Sequence, residues 1–128
     1  MRILLDTHIF IPWSGPSGLL SASANNFLND PANTLVLSVA SVWEVQIKVA
    51  IGKLTLRLPL AQLLQEQQQN TGLTILPVTL PHVLALEGLP MHHKDPFDRL
   101  LIAQAQAEQL PVLSADAIFA TYPVTLLN

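Results

Sequence analysis

Met1-Arg2-Ile3-Leu4-Leu5-Asp6 is an apolar run that a carboxylate cuts off after three residues. Ile and Leu in a short block suit a buried strand, and the acid directly after them marks its carboxyl end. Similar short runs recur at Leu35-Leu37, Leu73-Leu76, Val112-Leu113 and Val124-Leu126. Longer helical patterns lie between them, at about 17–29, 41–51, 60–70, 80–88 and 97–109. Strands alternating with helices predict a parallel α/β sheet covered by helices. An apolar block of three residues is too short for a signal peptide core or a membrane span, so neither is expected at this end.

The chain has 128 residues, half of them hydrophobic, which is enough to bury a core without staples and predicts one domain. There is no cysteine, so disulfides, thiolate metal sites and thiol nucleophiles are excluded, as suits a cytoplasmic protein. High hydrophobicity split into short, broken runs predicts a well-buried core or an interface with a partner. The net charge is −3 with only six Lys and Arg, a weak footprint for nucleic-acid binding. That objection lapses if several acids converge on divalent cations, because the ion then sets the local sign. Lys48, Lys53, Lys94 and Arg99 are then candidates for phosphate contacts.

Four acids fall at suggestive places. Asp6 follows the first strand and Asp116 follows Val112-Leu113 by a few residues, so both belong at the carboxyl end of the sheet, where open α/β sheets bind ligands. Glu44 is expected in the first turn of the helix after the second strand, and Asp98 in the first turn of the helix before Val112. Each has an ordinary alternative. Ser41-Val42-Trp43-Glu44 is a capping-box pattern, Asp98 suits the positive end of its helix, and Asp116 suits a turn. Asp95 before Pro96 reads as a helix cap and is held in reserve as a ligand. Converging carboxylates repel one another and need protons or cations. Hard oxygen ligands suit magnesium or manganese, the ions used to hydrolyse phosphodiesters.

Among the remaining residues, Lys48 stands four after Glu44, in the favourable orientation for a helical ion pair, and Arg99 faces away from Asp98. His8, His82, His92 and His93 include no helical i, i+4 pair, so a histidine-ligated metal is disfavoured. His92, His93 and Lys94 are expected in an exposed loop beside the acids. Trp13 and Trp43 are expected as core or interface aromatics rather than base-stacking platforms.

Leu4-Leu5-Asp6-Thr7-His8, Ser41-Val42-Trp43-Glu44-Val45, Gly52-Lys53-Leu54, the run His93-Lys94-Asp95-Pro96-Phe97-Asp98-Arg99-Leu100-Leu101-Ile102-Ala103-Gln104-Ala105, and Leu113-Ser114-Ala115-Asp116 together resemble the PIN-domain family, and within it the VapC-type toxins. The blocks occur in family order across nearly the whole chain. The resemblance implies a Rossmann-like three-layer α/β/α sandwich with a central parallel sheet. It also implies a ribonuclease that uses Mg2+ or Mn2+, cuts RNA (transfer RNA being one option), forms a homodimer and is neutralised by a cognate antitoxin. By position, Asp6, Glu44, Asp98 and Asp116 match the four metal-binding acids, with Thr7 and Ser114 as hydroxyl partners. Here the fourth acid follows Ser-Ala where Thr and a variable residue are commoner, which weakens its assignment.

Two other sheet proteins that use an Asp after the first strand fit less well. A phospho-receiver needs an acid after the third strand, where Leu76-Pro77-Val78-Thr79 has none; an Asp-nucleophile phosphatase needs a second Asp where His8 stands. A rival from another class is an inactive PIN-like module that works by protein–protein interaction. Such a module has no chemical reason to keep four repelling acids.

Overall fold

The computed structural model describes residues 1–15 and 20–128. Five strands form one sheet: β1 Arg2–Leu5, β2 Thr34–Ser38, β3 Thr74–Leu76, β4 Val112–Leu113 and β5 Leu126–Leu127. Their order is β3-β2-β1-β4-β5 and every pairing is parallel, with Ile3 opposite Leu35, Val36 opposite Thr74, Leu5 opposite Leu113 and Val112 opposite Leu126. The helices are α1 Thr7–Trp13, α2 Ala22–Asn29, α3 Val39–Ala50, α4 Leu60–Thr71, α5 Leu80–Leu84 and α6 Pro96–Glu108, with 3-10 turns at Ala85–Gly88 and Ala117–Thr121.

Alternation along the central strands divides the interior between the two sheet faces. Ile3, Leu5, Leu35 and Leu37 point to one, where Ile9 and Phe10 of α1, Ala24 and Leu28 of α2 and Val45 of α3 meet them. Leu4, Val36 and Val112 point to the other, against Leu101, Ile102 and Ala105 of α6 together with Phe119 and Tyr122. Residues on both faces of β1 and β2 are therefore buried, which is why these strands read as unbroken apolar runs. The result is the three-layer α/β/α sandwich with a central parallel sheet. Among the described residues no helix is long and apolar enough to cross a membrane.

Several local expectations need correction. The expected helix at 17–29 begins at Ala22, with Ser21 Oγ accepting from Ala24 N–H, and residues 17–19 of that expectation lie outside the described residues. Helix α3 starts at Val39, capped by Ser38 Oγ on Ala40 N–H at 3.0 Å. Ser41 and Glu44 are therefore not a capping box, and Glu44 sits in the second turn rather than the first. The expected helix at 80–88 divides into α5 and a 3-10 turn. The fifth strand is shifted to Leu126–Leu127. Helix α6 keeps the expected start: Asp95 Oδ1 accepts from the N–H groups of Phe97 (2.9 Å) and Asp98 (3.1 Å), ahead of Pro96 at its first position.

Candidate metal centre

The sheet order reverses between β1 and β4, and the crevice at their carboxyl ends is where ligand sites of such sheets form. Asp6 leaves β1 there. Its N–H still bonds Leu113 O at 3.0 Å, and its carbonyl accepts from Ile9 and Phe10 to begin α1. Because the backbone alone makes this cap, the Asp6 side chain remains available to the crevice. Ser114 leaves β4 beside it and donates Oγ–H to Asp6 Oδ2 at 2.8 Å. From the other side Thr7 donates to Ser41 Oγ at 2.9 Å, tying the start of α1 to the first turn of α3. Both hydroxyl residues singled out from the sequence thus support this end of the sheet, Ser114 directly on an acid and Thr7 through α3.

Glu44 on α3 and Asp98 on α6 complete a buried group: Asp6, Glu44 and Asp98 are 1%, 3% and 4% exposed. Each has one oxygen held and one free. Ser114 holds Asp6 Oδ2, Lys48 Nζ lies 2.9 Å from Glu44 Oε2, and His93 Nε2 donates to Asp98 Oδ2 at 2.8 Å. Among the described residues, Asp6 Oδ1, Glu44 Oε1 and Asp98 Oδ1 are buried with no hydrogen-bond partner. A buried acceptor without a partner costs about 1–3 kcal/mol, more when charged. Three buried acids left in this state call for protons or a cation.

The acids act on one another. Burial, above all, pushes the Asp98 carboxyl up to about 6; the His93 hydrogen bond opposes this, and the charges of Asp95, Asp6 and Glu44 add to it. Among the described residues, the trio of ligand atoms lying within 4.8 Å of one another comes from His93, Asp95 and Asp98, with Asp95 Oδ1 engaged in capping α6. The wider spread of the free oxygens on Asp6, Glu44 and Asp98 suits an ion that keeps several of its waters, as magnesium does.

The fourth acid stands apart. Asp116 is exposed; its Oδ1 accepts from Ile118 N–H at 3.0 Å to cap the following 3-10 turn, and its own N–H donates to Ser114 Oγ at 3.0 Å. It reaches the acid group through Ser114 and not by joining it.

The basic residues are also redistributed. Arg99 is not free for phosphate: its guanidinium donates to the carbonyls of Pro90 (2.7 Å), Leu89 (3.2 Å) and Leu86 (3.4 Å), bracing the loop before α6. His82 is buried, away from the acids. Thr79 N–H donates to its Nδ1 at 3.0 Å, so Nε2 carries the hydrogen toward Glu108 Oε1 at 2.9 Å. His93 is half-buried against Asp98, a partnership that the sequence did not single out. Trp13 packs on the core as expected. Trp43 is 59% exposed and meets Phe97 edge-on, with ring centroids 5.3 Å apart. His8, at the mouth, lies 3.7 Å from Asp6 Oδ1 and 3.4 Å from Lys48 Nζ.

Among curated proteins, none matches the chain. Solved structures that resemble it include VapBC2 from Rickettsia felis bound to a DNA fragment from its promoter, at 19% identity and TM-score 0.76, covering 100% of this chain and 98% of that one. FitAcB from Neisseria gonorrhoeae follows at 22% and 0.69, with 98% and 96% covered. VapBC-5 from Mycobacterium tuberculosis, a member of the VapBC family of toxin-antitoxin systems, matches at 19% and 0.62, with 99% and 98% covered. At these identities the likeness is one of fold. The PIN domain model matches residues 3–124, nearly the whole of the sheet and every acid discussed above, and on that match the chain belongs to the PIN domain family.

Proposed function

We propose that this chain is a ribonuclease toxin of the VapC kind, dependent on magnesium or manganese and held in check by an antitoxin. The observation that carries the reading is the set of three buried carboxylate oxygens, on Asp6, Glu44 and Asp98, left without partners at the switch point of the sheet. PIN domains are in general nucleases that use divalent ions, and the donor set here, all hard oxygen, fits such an ion. Bound there, the ion would lower the pKa of an attacking water and stabilise charge on the phosphodiester.

The chain's own residues have separate tasks in this reading. Asp6 and Asp98 are the principal ligands. Glu44 orients the attacking water and accepts its proton. Asp116 contributes through its backbone N–H, which donates to the Ser114 hydroxyl that in turn donates to Asp6. Ser114, Lys48 and His93 each fix one oxygen of an acid so that the other faces the crevice. Loops around the crevice, and not the acids, choose the RNA, with transfer RNA one option.

The partner follows from the neighbours and from the surface. Members of the VapBC family are toxin-antitoxin systems, and this chain exposes Trp43, Ile51, Leu80, Leu84 and Met91, apolar side chains available for a partner to cover. An antitoxin and a second copy of the chain are the proposed occupants, with the cytoplasm as the setting. The decisive experiment is incubation of purified, antitoxin-free protein with an RNA panel and magnesium. Cleavage that stops on chelation and returns with the ion supports the reading. Absence of cleavage, with Asp98→Ala binding partners as the parent does, would establish the interaction module instead.

A further inference from the structure

With Asp116 exposed and engaged in capping, the charge of the crevice is set by three buried acids and the cations beside them. Among the described residues, Lys48 is the Lys or Arg that forms an ion pair with one of these acids, 2.9 Å from Glu44 Oε2. Arg57 is paired with Glu66 and Arg99 is spent on backbone carbonyls. Lys48 rises from α3 one turn beyond Glu44, is itself partly buried, and sits between that carboxylate and His8 at the mouth.

From this geometry we propose that Lys48 takes the place of a second metal ion, so that the site holds one divalent cation rather than two. The inference rests on the metal-dependent reading above and settles a point that it leaves open. With the His8 and His93 rings neutral, three carboxylates less one ammonium leave two negative charges, which one divalent ion cancels. A second ion would leave an excess of positive charge among acids that are almost wholly buried, and low-dielectric surroundings penalise uncompensated charge heavily. It would also have to take Glu44 Oε2 from Lys48, because only Oε1 of that residue is free. In two-ion phosphodiester sites the ions clamp the attacking and the leaving oxygens. An ammonium on a flexible stem is a compact positive charge with three donors, suited to the phosphate side of that clamp.

The test is a count. Isothermal titration of the full chain with Mn2+ is expected to give one ion per chain, lost in Asp98→Asn. Lys48→Met should take up a second ion, lost again when Glu44→Gln is added. Lys48→Arg, which keeps the charge, should remain at one. Two Asp98-dependent ions in the unaltered chain, or a single ion in a folded Lys48→Met variant, would overturn the role given to Lys48. If the unaltered chain binds no Asp98-dependent ion at all, the metal reading itself fails first and this inference with it.

Discussion

Helix α6 carries two buried polar groups of opposite character. Toward its start, Asp98 keeps an oxygen with no partner beside two other acids in the same condition. Six residues later Gln104, fully buried, has both ends occupied: its Oε1 accepts from Ser38, and its Nε2 donates to Pro77 O at 3.3 Å and faces His82 Nδ1 at 3.4 Å. The Gln104 network joins the end of β2, the start of α3 and α5, and it leaves nothing for a ligand to complete. Polar burial that closes on itself holds a fold together, while polar burial left open waits for something from outside.

The contrast can be broken most severely at the open end. Asp6→Asn or Asp98→Asn is expected to lower RNA cleavage with saturating magnesium by more than the roughly 10–100-fold that loss of a ligand's outer partner costs, measured against an antitoxin-free parent. Cleavage at parental rates by either variant would show that the unpartnered oxygens have no chemical role.

At the closed end, Gln104→Ala should cost about 2–3 kcal/mol of stability by stranding its buried partners, read from the urea midpoint. Cleavage per folded molecule should change only a few-fold. A large loss of activity with normal stability would mean that the network reaches into the chemistry.

The third prediction reverses the usual sign for a buried residue. The Asp98 carboxyl, raised to about 6 by burial, binds its proton more tightly in the folded chain than in the unfolded one. Metal-free stability should therefore fall as pH rises from about 4 through 6. Asp98→Asn removes this penalty, so in chelator its Tm should exceed the parent's by a few degrees at pH 7–8, with the gain fading toward pH 4. Magnesium should narrow the difference by stabilising the parent alone. Equal Tm values at pH 7.5 in chelator would contradict this.

The smallest effect is expected at Asp116. Asp116→Ala loses a cap worth about 1 kcal/mol, while Asp116→Asn retains it. Both should cut RNA far better than Asp98→Asn. If Asp116→Asn is as inactive as Asp98→Asn, the exposed acid moves into the crevice when the ion and RNA bind.

How much of this was readable in the sequence depended on where each residue's partners lie. The central strands were legible because burial on both faces leaves uninterrupted Ile, Leu and Val at Ile3–Leu5 and Leu35–Leu37. Acids placed just beyond strands, or near the starts of helices, mark one end of a parallel sheet whatever the detailed packing, and Asp6 and Glu44 do lie near enough to Asp98 for their charges to act on its carboxyl. Helix α1 was not legible: Thr7-His8-Ile9-Phe10-Ile11-Pro12-Trp13 is rich in β-branched and aromatic residues and contains a proline. Such a segment is a poor helix alone, and burial of Ile9 and Phe10 overrides the local preference. The start of α3 was misread because Ser38 and Ser41 both make plausible caps, and only the register of β2 decides between them. The tasks of His93 and Arg99 depend on the path of the loop from Leu89 to Asp95, which no periodicity describes.

The hydrogen bond from Ser114 to Asp6 spans 108 residues, and it has a bearing on timing. Strand β1 pairs with β2 on one side, β2 pairs with β3, and the switch point is formed by β4 on the other side of β1. Contacts of such high sequence separation form late, after much loop entropy has been surrendered. During synthesis Asp6 emerges long before α6 and β4 can join it. The crevice can therefore assemble only after Ser114 has been made, 108 residues beyond Asp6.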